Sequence, residues 1–283
     1  ASFLQTNQQM YLSGLQMQME VVQSLLGHTD DTTALKGTHY NGDLMLPMHF
    51  QMGDMYSVCY YHLHAMVLSY LFAEYDKAMV HADQVEQFNF ALFGTASLQI
   101  FHYHDSLVRL ANYTATDDET KAEILTKVEA NQEKLQGWAV HAPMNLQHKY
   151  DLVAAEKHRV LGEVVLARDL YDAAIDGART NLYLNDMALA NERAAIYYDN
   201  RKMQRNARHY LEDAYIAYRN WGATAKVQQL QQTYPQLLQA TGQRGNTTTT
   251  TISRSVTPTT SSTSQMYGDI LDLASVLKAS QAL

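Results

Sequence analysis

The chain has 283 residues, 46% of them hydrophobic, enough to bury one large core or two ordinary ones. Its formal net charge is −8, with acidic and basic residues interspersed and no Lys/Arg cluster forming a phosphate-binding stripe, which argues against a nucleic-acid partner. The single cysteine, Cys59, excludes an internal disulfide and suits a reducing cytoplasm, and no apolar run reaches the roughly 20 residues of a membrane span.

Four prolines and thirteen glycines are few, as long helices require, so the expected fold is all-α. Residues 2–26 read as a first helical stretch, with Leu4, Met10, Leu12, Leu15, Met19, Val22 and Leu25 as its apolar members. Residues 27–54 read as an irregular loop punctuated by Gly27, Gly37, Gly42, Pro47 and Gly53, with Met45, Leu46, Met48 and Phe50 docking part of it back. Residues 55–72 and 75–92 form the first clear hairpin, and 95–113 a long apolar helix. Asp117, Asp118 and Glu119 supply an acidic start for a helix at 118–138. Pro143 opens 143–161, Gly162 ends it, and 163–180 returns. Residues 184–199 and 203–220 make another hairpin stopped by Gly222, and 223–233 adds a last helix closed by Pro235. Residues 241–267 are a Thr/Ser-rich stretch expected to act as a disordered linker, and 268–283 return to an apolar helical stripe.

One alanine-based pattern occurs three times, as Ala78…Ala82…Val85, Ala167…Tyr171…Ala174 and Ala207…Leu211…Ala214. Spacings of four then three put each trio on one helix face, where a small residue lets a second helix approach closely. Counting back twelve and nine residues from Ala207 reaches Ala195 and Tyr198, and from Ala167 reaches Ala155 and His158. These offsets match the packing positions of a tetratricopeptide-type helix–turn–helix unit. The expectation is a TPR-like domain over 1–240, with antiparallel helix pairs stacked as a right-handed α-solenoid in which each pair touches only its neighbours. Ala167 and Ala207 are 40 residues apart, longer than the usual 34-residue period, so the units are irregular.

Several stretches resemble a recurring module of large cyanobacterial-type hybrid kinases: His141-Ala142-Pro143-Met144-Asn145, Phe101-His102-Tyr103-His104-Asp105-Ser106-Leu107, Ala188-Leu189-Ala190-Asn191-Glu192 and Trp221-Gly222-Ala223-Thr224-Ala225-Lys226-Val227. In these proteins a serine/threonine kinase domain and a STAND-type AAA ATPase precede a helical-repeat region, and a GAF sensor and a histidine kinase follow it. The resemblance runs from about residue 50 to 238, and Leu271–Leu283 look like the lead-in to the GAF domain. It implies a segment of a larger signalling protein that relays state to neighbouring domains or binds a protein partner. ATP would belong to the parent's other domains, and the terminal helix could pair with its copy in a dimer. The chain itself shows no Gly-rich phosphate loop, no His-Arg-Asp loop and no Asp-Phe-Gly.

The residues that could carry chemistry have structural readings beside them. His102 and His104 point to opposite faces of a helix, as do His62 and His64, so neither pair shares a metal. Asp105 and Glu156 lie among apolar residues and read as buried helix–helix hydrogen-bonding groups, Asp105 to a tyrosine or histidine. Tyr56, Tyr60, Tyr61 and Tyr75 could line a peptide groove or sit in the core with their hydroxyls reaching water. The expected function is non-catalytic, with no metal or cofactor site. The alternative is a small-molecule sensor with a pocket between the 27–54 loop and the first hairpin.

Overall fold

The computed structural model describes residues 3–238, with side chains from residue 11 onward. The Thr/Ser-rich stretch 241–267, the stripe 268–283 and its dimer seam lie outside the described residues. Twelve α-helices are present among those described: α1 (Phe3–Leu26), α2 (Gly42–Met52), α3 (Met55–Leu71), α4 (Tyr75–Phe88), α5 (Ser97–Asn112), α6 (Asp118–Ala139), α7 (Pro143–Val160), α8 (Val164–Thr180), α9 (Leu184–Asn200), α10 (Gln204–Trp221), α11 (Thr224–Thr233) and α12 (Pro235–Leu238). The only extended pairing among them is the isolated bridge between Lys36 and Asn41.

Five of the connections are built alike. Ala73, Gly162, Leu182, Lys202 and Gly222 all take left-handed backbone angles, with φ between 62° and 95°. The next residue donates its N–H to the carbonyl five positions back, as in Glu74 to Ser69 at 2.8 Å and Met203 to Tyr198 at 3.0 Å. This is a Schellman closure, which uses up orphan carbonyls and turns the chain sharply. In α4, α8 and α10 the first alanine of each trio falls five residues after the left-handed position. Its N–H bonds to the residue before the helix, as Ala167 does to Glu163. The alanine pattern and the turn are therefore parts of one local unit. All nine residues of the trios are buried, and Ala155, Ala195 and Tyr198 are buried on α7 and α9.

Three expectations need correction. Residues 42–52, read as part of an irregular loop, form α2. Asn41 caps it through Asp43 N–H, Gly53 ends it in a left-handed turn, and Pro47 is tolerated inside while α2 packs on α3. Gly42 is no breaker there: a Cβ would lie 2.5 Å from the Tyr61 ring, so glycine permits the close approach. Pro235 opens the single turn α12 and does not end the helical region.

The third correction concerns the nearest-neighbour stack. Contacts of α3 with α5, of α5 with α7 and of α7 with α9 join adjacent hairpins, as a nearest-neighbour stack requires, but α11 also packs on α1. Lys226 of α11 donates to the Leu71 carbonyl, 155 residues away. Gln229 donates to the Phe72 carbonyl at 2.7 Å. Arg193 of α9 donates to the Tyr75 hydroxyl at 2.8 Å. The last helices thus reach the end of α3, and the array closes back on itself.

The shared turn makes a stability prediction. A Cβ at Gly162 would meet nothing within 4 Å, so Gly162→Ala introduces backbone strain alone and should cost about 1–2 kcal/mol. Lys202→Gly, in the same conformation, should relieve strain and be neutral or stabilising by up to about 1 kcal/mol. Denaturant midpoints measure both, and a destabilising Lys202→Gly beside a neutral Gly162→Ala would contradict the common turn.

Candidate functional site

The polar groups with chemical potential gather inside the array. Glu156 on α7 is 0% exposed. Its Oε1 accepts the Tyr171 hydroxyl at 2.6 Å and Arg193 Nε at 3.0 Å. Its Oε2 accepts Arg193 Nη2 at 3.0 Å and Arg159 Nε at 2.9 Å. Burial pushes this carboxyl up, but Arg193 and Arg159 outweigh it and hold its pKa at about 2. With the Arg193–Tyr75 bond and the Arg159–Leu110 carbonyl bond, one carboxylate ties α4, α5, α7, α8 and α9 together.

Two further ion pairs flank it. Asp186 on α9 accepts Lys149 Nζ at 2.6 Å and His148 Nε2 at 2.9 Å. Burial again opposes ionisation, and Lys149 and His148 hold the carboxyl well below the usual range. Lys149 also lies 4.4 Å over the Tyr183 ring, a cation–π contact. Glu192 accepts Lys226 Nζ and the Tyr218 hydroxyl, both at 2.7 Å.

Asp105 on α5 bonds neither tyrosine nor histidine, contrary to expectation. It accepts Arg109 Nε at 2.9 Å and Asn131 Nδ2 at 2.8 Å, because α6 carries the amide that faces it. Burial raises its pKa against the pull of Arg109. Arg109 also reaches Asp83 and Glu86 on α4 at 3.2 and 3.0 Å. His102 meets Asn131 at 2.7 Å, and His62 meets His81 at 2.9 Å, ring nitrogen to ring nitrogen. No group of three or more His, Cys, Asp and Glu side chains is arranged for a metal ion among the described residues.

The four tyrosines do not share one groove. Tyr56 and Tyr60 stack at 5.5 Å, and Tyr60 accepts from Gln18 of α1 at 2.7 Å. Tyr61, one residue on and so on another helix face, packs against Tyr40 and His81. Tyr75 sits beside Tyr70 and Arg193. Between the 27–54 segment and the first hairpin the two parts of the chain are in contact. Leu35, Tyr40 and His49 are buried there, and Thr33 bonds Glu74 at 2.8 Å.

Two surface clefts lie among α4 to α7. One, of about 470 Å³, lies between the start of α5, the end of α6 and α7, and is lined by Thr95, Gln99, Trp138, Asn145 and Lys149. Its one charged group, Lys149, is engaged by Asp186. The other, of about 360 Å³, runs between α4 and α6 beside Asp83, Arg109 and Lys127, all three held in ion pairs. No helix of the described residues is long and apolar enough to cross a membrane. No protein-family model, no curated protein and no solved structure matches the chain.

Arg193, Lys226, Lys149 and Asp186 carry the interior, and their spacing in the sequence does not announce it. The available signal was a charge inside an otherwise small and apolar run, as in Ala190-Asn191-Glu192-Arg193-Ala194-Ala195 and Ala225-Lys226-Val227.

Two predictions follow from burial. Arg193→Met leaves Glu156 with one cation and should destabilise by about 3–5 kcal/mol in urea unfolding; a loss below 1 kcal/mol would show that the fork is not structural. The second concerns histidine. Burial holds His62, His81, His102 and His104 at about 4 and His64 at about 3, against 6.5 for the free side chain. Each takes up a proton on unfolding between these values, so stability is full above pH 6.5 and falls as pH drops towards 4. His64→Phe should reduce the slope of stability against pH in that window by up to about 1.4 kcal/mol per pH unit. An unchanged slope would contradict the neutral buried state.

Proposed function

We propose that this chain is a non-catalytic helical-repeat module of a larger signalling protein, which holds a protein partner or neighbouring domain and relays its state. The observation that carries the reading is the interior: the buried carboxylates Asp105, Glu156, Asp186 and Glu192 are held in ion pairs and hydrogen bonds that join helices. A group locked by two or more partners in a closed core is poorly placed to reach a substrate. The repeated left-handed turn with its alanine register supports a TPR-like unit, and the irregular spacing of units fits a distorted right-handed solenoid. The resemblance to the segment between the STAND-type ATPase and the GAF domain of hybrid kinases gives the setting, a cytoplasmic one with ATP bound elsewhere in the parent.

The test uses the whole chain with labelled ATP and Mg²⁺, followed by clean-up. Neither phosphate release above the blank nor retained label is expected. Turnover that Glu156→Gln or Asp186→Asn abolishes would overturn the reading and place catalysis in the interior.

A further inference from the structure

Helix α1 is apolar on two opposite faces. Ser13, Met17, Val21, Ser24 and Leu25 are buried, and the helix packs on α3 and α11, with Gly14 against the Tyr60 ring. On the other side Leu12, Leu15 and Met19 are 48, 59 and 37% exposed. Their spacing of three then four makes a single stripe. A helix at a protein surface ordinarily turns charged residues to water there, whereas this face sets the uncharged Gln16 and Gln23 beside the stripe. The first 26 residues contain one charged side chain, Glu20. It is buried, with its carboxylate accepting the backbone N–H of His39 at 3.1 Å. The outer face of α1 therefore presents an uncharged surface with three exposed large apolar side chains.

The chain beyond Leu238 carries a matching stripe. Ile270, Leu273 and Leu277 repeat the three-then-four spacing of Leu12, Leu15 and Met19. Two such stripes can interdigitate as a helix pair. The connection is long enough. α11 lies against the end of α1, where a Cβ at Gly27 would be 3.6 Å from Ala225. Leu15 is twelve residues back along α1, about 18 Å. The 31 residues between Leu238 and Ile270 are rich in Thr, Ser and Gly, and a chain of that kind spans about 30 Å r.m.s.. At that tether length a millimolar contact is already half occupied within one molecule.

We propose that residues 269–283 dock their Ile270, Leu273 and Leu277 stripe on the outer face of α1 at Leu12, Leu15 and Met19, covering it within the same chain. This docking does not depend on the function proposed above.

The lone native cysteine makes a clean test possible. Cys59 is fully buried, and burial pushes its thiol up to about 12, so it stays out of exchange. The full chain carrying Leu15→Cys with Leu273→Cys is oxidised in a glutathione buffer at about 1 µM, beside a control pair of Arg205→Cys, exposed on α10, with Leu273→Cys. Intramolecular disulfide is counted by peptide mass. The α1 pair should exceed the control by about tenfold. Adding Leu12→Asp and Met19→Asp, both at exposed positions, should return it to the control level while the helical circular dichroism stays unchanged. Yields equal to the control would overturn the docking. Disulfide-linked dimers in place of the internal bond would give the face to a second copy, and insensitivity to the two aspartates would show that the stripe is not the contact; either result also overturns it.

Discussion

A carboxylate taken fully out of water must be paired, and Glu156 is the place where this constraint governs the fold. Its two oxygens accept four hydrogen bonds from three side chains on α7, α8 and α9. Each of those helices must stop at one rotation and one height for the fork to close. A buried ion pair adds little net stability over a well-packed apolar pair, but breaking it is expensive. Such a group penalises every alternative register of the helices around it. Asp186 with Lys149, and Glu192 with Lys226, apply the same restriction on either side.

Closure follows from these pairs. Lys226 satisfies Glu192 and the Leu71 carbonyl together, and Arg193 reaches both Glu156 and Tyr75. The polar axis is thus shared by helices from both ends of the array. An open stack of repeats keeps its inner surface for ligands. Here the inner surface is filled by the protein's own aromatic and charged side chains, Tyr103, Tyr171 and Tyr218 among them. Contacts with other molecules are left to the outer faces, and that of α1 carries no charged side chain among the described residues.

The helices were legible because their signals are local. Apolar periodicity, Pro143 at a helix start and Gly162 and Gly222 at helix ends put the boundaries of α7 through α11 within a residue or two. The alanine trios were visible for the same reason, since only a small side chain fits where two helices approach closely. The shared turn was half hidden: Ala73, Leu182 and Lys202 adopt a glycine-like conformation with no glycine to announce it. Helix α2 was lost because Gly42 serves the approach of Tyr61, a contact from another helix. The interior ion pairs were not legible. Lys226 and Leu71 are 155 residues apart, and no local pattern says that a charge will be buried beside a distant carbonyl.

Native-state hydrogen exchange tests the closed array most directly. An open stack should fray, with protection graded from its ends and a change in α11 felt only nearby. A closed one should open as a unit. The slowest amides of α3, α5, α7 and α9 should then share one opening free energy, and Lys226→Met should lower all of them by the same amount. Graded protection along the series, with Lys226→Met affecting α11 and α12 alone, would contradict closure.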